Sequence, residues 1–271
     1  MRASSYIILR PETGLQKYVN YFWMGEICPD AAKSQLFRHL APASTTVDLI
    51  FFDKGSFKDS RTGSAIQANG IIYGQKTSFD QYTTTSEKAR IFGVKLKPSV
   101  VLATLDIPAS GITGQQADLQ TLFGRKGEKL TGLILSVQTL EERAAAFSLF
   151  LKEHQKALDP KFEALGNLIH SIDYTCDPAA INRCSEQYFL SKRQFERDFK
   201  ALTGLSFRSF IKLKRFENCF HSIQTRQCRS DLTRLAYQSG YYDQAHFNRD
   251  FREFTGLCPK KYIRDFCTGS T

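Results

Sequence analysis

The sequence lacks any long hydrophobic run, and this absence argues against a membrane-spanning helix. None of the apolar stretches in the 271 residues approaches the roughly 18–20 residues that cross a bilayer. The apolar segment near the start, SYIIL, is too short for the core of a secretion signal. We therefore expect a cytoplasmic protein with no membrane partner.

The cysteines show no metal-binding spacing. The chain has seven of them, an odd number, and no two form a C-x-x-C pair. Reduced thiols in a cytosol fit this pattern better than a disulfide framework or a zinc site. Redox sensing is an alternative for Cys184, Cys219 and Cys258, although a cysteine on an apolar helix face is more often a small core residue.

Catalytic motifs are also missing. Residues 1–160 offer only His39 and His154, which are far apart in sequence, and no H-x-H occurs. A metal ion in a β-rich domain needs two or three histidines and a carboxylate. No serine or cysteine lies in a glycine-framed elbow, and Asn69-Gly70 with Gly74 is too sparse to cradle a phosphate. The sequence therefore predicts a protein that is not an enzyme, with no catalytic residue, no metal and no cofactor.

Positive charge is abundant, and it is concentrated in the last third of the chain. The net charge is +10, and residues 179–271 hold 17 Lys and Arg against 9 Asp and Glu. This asymmetry indicates a polyanionic partner, and nucleic acid is the commonest one. A solvated basic surface without a partner explains the charge alone equally well.

The first part of the chain is predicted to be a β-rich domain followed by helices. Short β-branched and aromatic runs bounded by turn residues predict strands of a sandwich or barrel at 47–53, 69–75 and 90–98. Helical patterns begin at Ser99, and Asp159-Pro160 then breaks the chain. We therefore expect an α+β protein with a β-rich domain over residues 1–160 and an all-α domain over residues 161–271.

One phrase occurs twice in the last third. FERDFKALTGL starts at Phe195, and FNRDFREFTGL starts at Phe247, 52 residues later, with seven of the eleven positions identical. In each copy the phenylalanines fall on one face of a helix. Glycine near the end tolerates the left-handed geometry of a helix stop. Ser191 or Asp243 precedes the copy as a good N-cap residue.

Two helix-turn-helix units follow from this repeat. We place them at about 179–205 and 231–257, and the first helix of the first unit at about 179–187. Residues 210–224 have apolar side chains in helical register and are expected to form one linker helix. The all-α domain is thus predicted to hold two like units at a fixed separation.

Polar and basic residues occupy the outer face of both repeated helices. Arg and Lys can bond guanine edges, and Asn and Gln can bond adenine edges, when a helix enters the major groove. The candidate DNA-binding residues are Lys192, Arg193, Glu196, Arg197, Lys200, Gln244, Ala245, Asn248, Arg249 and Arg252. Candidates for phosphate contacts that position the domain are Arg208, Lys212, Lys260 and Lys261. Any surface helix exposes a polar face, so polarity alone does not establish DNA binding. DNA reading by these helices also requires that Arg197 and Arg249 are not buried.

The last third resembles the DNA-binding domain of the AraC/XylS family of bacterial transcription regulators. The matching positions, with counterparts in the first unit, are Ala236, Gly240, Tyr241, Phe247, Arg249, Phe251, Gly256, Pro259 and Tyr262. The resemblance implies two recognition helices in successive major-groove segments. It implies base reading by Arg193, Glu196 and Arg197 in the first and by Gln244, Ala245, Asn248 and Arg249 in the second. The chain departs from the family at Phe207, which replaces a proline, and at Ile263, which stands where an arginine often follows the tyrosine. Glu196 is unfavourable beside phosphates but is a candidate acceptor for cytosine. Asp198 and Asp250 follow the arginines, whose side chains we expect them to pin.

The N-terminal part resembles, less closely, the cupin-like β-rich domain of one subgroup of this family. Residues 39–52, 92–124 and 142–151 carry this resemblance. In the family such a domain binds a small molecule or mediates dimerisation, and no ligand residue can be assigned here. The aromatic residues that would line a pocket, or more commonly form core or dimer surface, are Tyr21, Phe22, Trp23, Tyr73 and Tyr82.

These features predict a sequence-specific DNA-binding transcription regulator, modulated by a small effector at the N-terminal domain. The candidate partners are double-stranded DNA, a small-molecule effector, a second copy of the chain and RNA polymerase. One alternative is a cupin-type metal enzyme, which metal analysis of the purified protein would reveal. Another is an effector-independent DNA-binding protein regulated by dimerisation.

Overall fold

The computed structural model describes residues 5–27, 37–60, 62–84, 86, 88–171, 184, 186, 191–225 and 231–267. The chain divides into two compact units. Unit 1 comprises Met1–Ala41, Thr46–Gln75 and Asp80–Ala157, and unit 2 comprises Pro42–Thr45, Lys76–Phe79 and Leu158–Thr271.

Unit 1 is built on antiparallel strands. In the described part of the chain these are β1 (Ser5–Leu9), β2 (Val19–Ile27), β3 (Phe37–Ala41), β4 (Val47–Lys54), β5 (Lys58–Asp59), β6 (Gly70–Tyr73), β7 (Asp80–Thr84), β8 (Ala89–Leu96) and β9 (Gln116–Asp118). Six form a sheet in the order β1-β2-β8-β4-β6-β9, and three form a second sheet in the order β3-β7-β5. The predicted strands at 47–53, 69–75 and 90–98 correspond to β4, β6 and β8, which are neighbours in the larger sheet.

The side chains of β4 alternate between two buried layers, because successive residues of a strand point to opposite faces. Ile50 and Phe52 belong to a buried cluster that also contains Tyr82 of the smaller sheet. Phe51 points the other way, and its ring centroid lies 5.7 Å from that of Phe92. The two sheets therefore share one core, which confirms the β-rich fold, a sandwich or barrel, that was predicted for this part of the chain.

Helices cover the other face of the larger sheet. In unit 1 they are α1 (Ser99–Leu105), α2 (Leu119–Phe123), α3 (Arg125–Ser136) and α4 (Leu140–His154). Phe147 of α4 meets Phe22 of β2 edge to face, with ring centroids 6.0 Å apart. A capping box starts α4, since the Thr139 hydroxyl accepts from the Glu142 backbone N–H and the Glu142 carboxylate accepts from the Thr139 backbone N–H.

A buried ion cluster joins this helix to the sheet. The Asp53 carboxylate accepts hydrogen bonds from Arg90 of β8 and from Arg143 of α4, at 2.7 Å for Arg143. The Arg143 side chain is fully buried, with 0% of its surface exposed. Loss of either partner would leave a buried charge uncompensated, so the cluster fixes α4 against the ends of β4 and β8.

The single tryptophan lies over a glycine of the neighbouring strand. Trp23 of β2 pairs with Gly93 of β8. A Cβ atom added to Gly93 would lie 2.1 Å from the indole ring. Trp23 is partly buried against the cluster shared by the two sheets, so Gly93 is the residue that makes room for it.

Unit 2 is helical over most of its described length. Its helices are α5 (Pro160–Ser171), α6 (Lys192–Thr203), α7 (Phe207–Gln224), α8 (Leu232–Gln238), α9 (Gln244–Thr255) and α10 (Pro259–Tyr262), followed by a π-helical turn at Ile263–Cys267. The predicted linker helix is α7, which starts earlier than residue 210 because Ser206 caps it through the Ser209 backbone N–H. The predicted helix at about 179–187 lies outside the described residues, apart from Cys184 and Glu186.

Phenylalanines fill the core of unit 2. Phe199 of α6 meets both Phe207 and Phe210 of α7, with ring centroids 5.2 Å apart in each pair. Near the middle of α7, Phe216 meets Phe251 of α9, with ring centroids 5.6 Å apart. The linker helix therefore packs on both repeated helices, and Phe207, in the place of the family's proline, adds a ring to this core.

Candidate nucleic-acid interface

The first repeated helix, α6, is held by its buried phenylalanine face. Ser191 caps its start by accepting a hydrogen bond from the Gln194 backbone N–H at 3.3 Å, and Gly204 ends it with a positive φ of 78°. Phe195 and Phe199 are completely buried, at 0% exposure. The opposite face is thereby turned to solvent in a defined orientation.

All five candidate residues of α6 are exposed. They are Lys192, Arg193, Glu196, Arg197 and Lys200. The Arg197 side chain has 72% of its surface exposed, and its Nε atom lies 3.7 Å from the buried Asp198 carboxylate. Gln194 Nε2 donates to the other oxygen of Asp198 at 2.8 Å. Asp198 therefore forms an ion pair with Arg197 and helps to orient its side chain, as predicted from the sequence.

The second repeated helix, α9, follows the same plan. The Asp243 carboxylate accepts from the His246 backbone N–H at 2.6 Å, and Gly256 ends the helix with φ 74°. Phe247 and Phe251 are completely buried, at 0% exposure. Four of its five candidates, Ala245, Asn248, Arg249 and Arg252, are exposed, and Gln244 is half-buried.

The acidic residue beneath α9 has different partners from its counterpart in α6. Asp250 lies 3.5 Å from Lys212 Nζ and 3.7 Å from His246 Nε2. Burial raises the pKa of the Asp250 carboxyl, and the positive charge of Lys212 opposes part of that rise. The partners found for Asp250 among the described residues are thus Lys212 and His246, so the expectation that Asp250 pins Arg249 differs from what the structure shows.

The four phosphate-contact candidates fall into two groups. Arg208, Lys260 and Lys261 are exposed. Lys212 is half-buried, with its ammonium 2.8 Å from the Glu253 carboxylate and 5.1 Å from the centre of the Phe254 ring. Lys212 thus joins α7 to α9, a role that sequence reasoning missed because the partners lie 41 residues apart.

A cavity lies beside α9. It has a volume of about 370 Å³ and is lined by Leu232, Gln244, Asn248, Cys258, Pro259 and Lys260. Two base-reading candidates therefore share one surface depression with a phosphate-contact candidate on α10.

The candidate redox thiols are not alike. Cys184 and Cys219 are buried, and Cys258 is half-buried. Burial raises the pKa of Cys219 to about 11. A thiol with that pKa stays protonated and unreactive at neutral pH, which fits a small core residue.

In the described ranges no group of three or more His, Cys, Asp and Glu could hold a metal ion. His154 makes a hydrogen-bond contact of 2.8 Å between its Nδ1 and the Phe150 carbonyl of the same helix. Of the helices that the structure describes, none combines the length and the apolar character that a bilayer span requires.

Comparison with known proteins assigns the helical part of the chain. Residues 184–265 match a family described as a helix-turn-helix domain. Residues 184–265 therefore form a helix-turn-helix domain of AraC type. It makes the chain a DNA-binding transcription regulator, a class that is not normally enzymatic. Residues 8–118 match a domain family of unknown function, DUF6597, and no curated protein matches the sequence.

A solved structure of ToxT from Vibrio cholerae shares the fold. One ToxT structure has a TM-score of 0.50 and 13% identity over 90% of this chain and 98% of that chain. A ToxT structure bound to an unsaturated fatty acid has a TM-score of 0.47 and 13% identity over 97% of both chains. The first of these supports the fold predicted from sequence, β-rich in its N-terminal part and helical in its C-terminal part.

Proposed function

We propose that α6 and α9 enter successive major-groove segments on one face of a DNA duplex and read its sequence. The observation that carries this proposal is the matched exposure of Arg197 and Arg249 at the same place in two helices with buried phenylalanine faces. The major groove, about 12 Å wide, admits one α-helix. Successive segments of it lie about 34 Å apart along one face of the duplex.

The exposed residues divide into two roles in this proposal. The base-reading residues are Arg193, Glu196 and Arg197 of α6 and Gln244, Ala245, Asn248 and Arg249 of α9, and the other DNA-binding candidates on these helices are Lys192, Lys200 and Arg252. Arg208, Lys260 and Lys261 contact phosphates and position the domain without carrying sequence information. Lys212 contributes its charge while it also holds Glu253 of α9.

Selection of bound sequences from random DNA tests the arrangement. We expect two blocks of preferred bases about one helical turn apart. Arg197→Ala should degrade one block and Arg249→Ala the other. Selection without any consensus, or loss of the same block in both variants, would contradict the proposal.

We further propose that the β-rich domain, residues 1–160, holds a small effector and that residues 161–271 form the DNA-binding domain. Trp23, the only tryptophan of the chain, lies against the cluster shared by the two sheets and would report a ligand there by its fluorescence. The first compounds to test as effectors are small apolar acids, including an unsaturated fatty acid. A compound that shifts the Trp23 emission and changes DNA affinity supports the effector role. If none of these compounds changes either quantity, an effector-independent regulator is favoured.

Two other partners are part of the proposed function. A second copy of the chain and RNA polymerase are expected to contact the DNA-bound protein, which acts in the cytoplasm because bacterial DNA is there. Sedimentation with and without the selected DNA measures association with a second copy of the chain. Retention of RNA polymerase on that DNA by the bound protein measures the polymerase contact. We assign no enzymatic step to the chain.

A further inference from the structure

We propose that Thr233 is a positioning residue that orients the amide of Gln244 and so makes α9 prefer guanine over adenine at one base pair. The inference rests on the proposed function, in which α9 lies in the major groove. It concerns a residue outside the repeated phrase, on the helix that precedes the turn.

The geometry joins the two helices of the second unit side chain to side chain. Thr233 is the second residue of α8, and Gln244 is the first residue of α9. The Thr233 hydroxyl donates a hydrogen bond to Gln244 Oε1 at 3.1 Å, across the turn between the helices. Thr233 is exposed and Gln244 is half-buried, so the bond lies at the surface beside the cavity that Gln244 and Asn248 line.

The hydrogen bond decides which end of the amide is left for a base. A glutamine side chain has one carbonyl oxygen, which accepts, and one NH₂ group, which donates twice. With Oε1 turned towards Thr233, one of its two lone pairs is occupied, whereas the NH₂ group keeps both of its hydrogens for a base. Glutamine reads adenine by accepting from N6 while it donates to N7, whereas guanine presents two acceptors, O6 and N7, to the same groove. The held amide therefore suits guanine.

The arrangement belongs to the second helix alone. Lys192 occupies the place of Gln244 in the first unit, three residues before the repeated phrase. An ammonium group donates only and has no acceptor that a hydroxyl could hold. The two helices thus differ in how their first residue can be oriented, and the base beneath each should be selected differently.

The test compares DNA sites that differ only at the base read by Gln244. That base is identified as the position whose preference is lost in Gln244→Ala. We expect the wild type to bind the guanine site more tightly than the adenine site. Thr233→Val should lower the ratio of these two affinities by about twofold to tenfold, the range that one hydrogen bond supplies. Thr233→Ser, which keeps the hydroxyl, should retain the ratio.

Controls separate this role from a structural one. Thermal unfolding should show that Thr233→Val is folded, and Thr233→Ala serves in its place if it is not. In the Gln244→Ala background, Thr233→Val should not change the ratio further, because the amide that it orients is absent.

Two results would overturn the inference, and they are distinguishable. If Gln244→Ala changes base preference and Thr233→Val does not, the positioning role is wrong while base reading by α9 stands. If Gln244→Ala leaves the preference unchanged at every position, Gln244 is not a reader and the inference fails with that part of the proposed function. Behaviour of Thr233→Ser like that of Thr233→Val would also overturn it, since the hydroxyl would then be irrelevant.

Discussion

Arg197 and Arg249 occupy the same place in the repeat but have different surroundings. Arg197 lies 3.7 Å from Asp198, so its guanidinium is partly oriented before DNA arrives. The corresponding carboxylate in the second helix, Asp250, lies near Lys212 and His246. Identical residues in a repeat therefore do not imply identical contacts with DNA.

Arg249→Ala should weaken binding to the selected site by about 1–3 kcal/mol and relax the preference at one base pair, because a bidentate contact to guanine is lost. Arg249→Lys should relax the same preference, since an ammonium lacks the planar fork of a guanidinium. Affinities on single-base variants of the site measure both effects.

Random DNA is the control for that prediction. Lysine keeps the charge of arginine, so Arg249→Lys should bind random DNA as the wild type does. An equal loss on the selected site and on random DNA after Arg249→Ala would instead assign Arg249 to the DNA backbone.

Thiol labelling tests the environments of the described cysteines. Because burial raises the pKa of Cys219 to about 11, its thiol should resist alkylation by iodoacetamide at pH 8 in the native protein. Cys258 is half-buried and should react first of the two. Peptide mapping by mass spectrometry, with unfolded protein as the reference, measures both; rapid native labelling of Cys219 would refute the assigned environment.

At the scale of elements, the caps of the two repeated helices determine how precisely their exposed faces are presented. Asp243→Ala should lower the free energy of unfolding by about 1 kcal/mol, since the free backbone N–H of His246 loses its acceptor. Chemical denaturation measures the loss. Asp243→Asn keeps a capping oxygen and should retain most of the stability, so an equal loss in both variants would show that the cap is not the cause.

The helices of unit 2 were predicted well from the sequence because the signals that define each helix lie within that helix or directly beside it. The phenylalanine stripe, the N-cap and the terminal glycine of α9 all lie between Asp243 and Gly256. The same holds for α6, and the fold class and the helix-turn-helix domain predicted from these signals are confirmed.

Long-range polar contacts escaped prediction because no local period encodes them. Asp53, Arg90 and Arg143 come from three separate elements and meet only when α4 packs on the larger sheet. Thr233 and Gln244 are separated by a turn whose geometry the sequence pattern does not fix. The strand order β1-β2-β8-β4-β6-β9 likewise depends on pairing between strands far apart in the chain.

At the scale of the whole molecule, uneven charge should dominate affinity for DNA. Neutralised phosphates release counterions, so the logarithm of the binding constant should fall linearly with the logarithm of salt concentration. Lys260→Ala and Lys261→Ala should each reduce the magnitude of that slope by about 1. Titrations at several salt concentrations measure the slopes.

Lys129→Ala is the matched control for the salt prediction. Lys129 is exposed on α3 of unit 1. Its replacement by alanine removes one positive charge from the chain, as the other two substitutions do, but leaves α10 unchanged. Its slope should equal that of the wild type. If all three variants changed the slope equally, net charge and not local phosphate contact would explain the effect.

The linker helix limits the spacing between the two blocks of bases that this protein can bind. α7 runs without interruption over 18 residues and packs on both repeated helices. One extra base pair between the two recognised blocks would turn the second block by about a tenth of a revolution around the duplex axis. A stiff connection cannot follow that rotation, so regulatory sequences for this protein should conserve their spacer length more strictly than the identity of the bases within it.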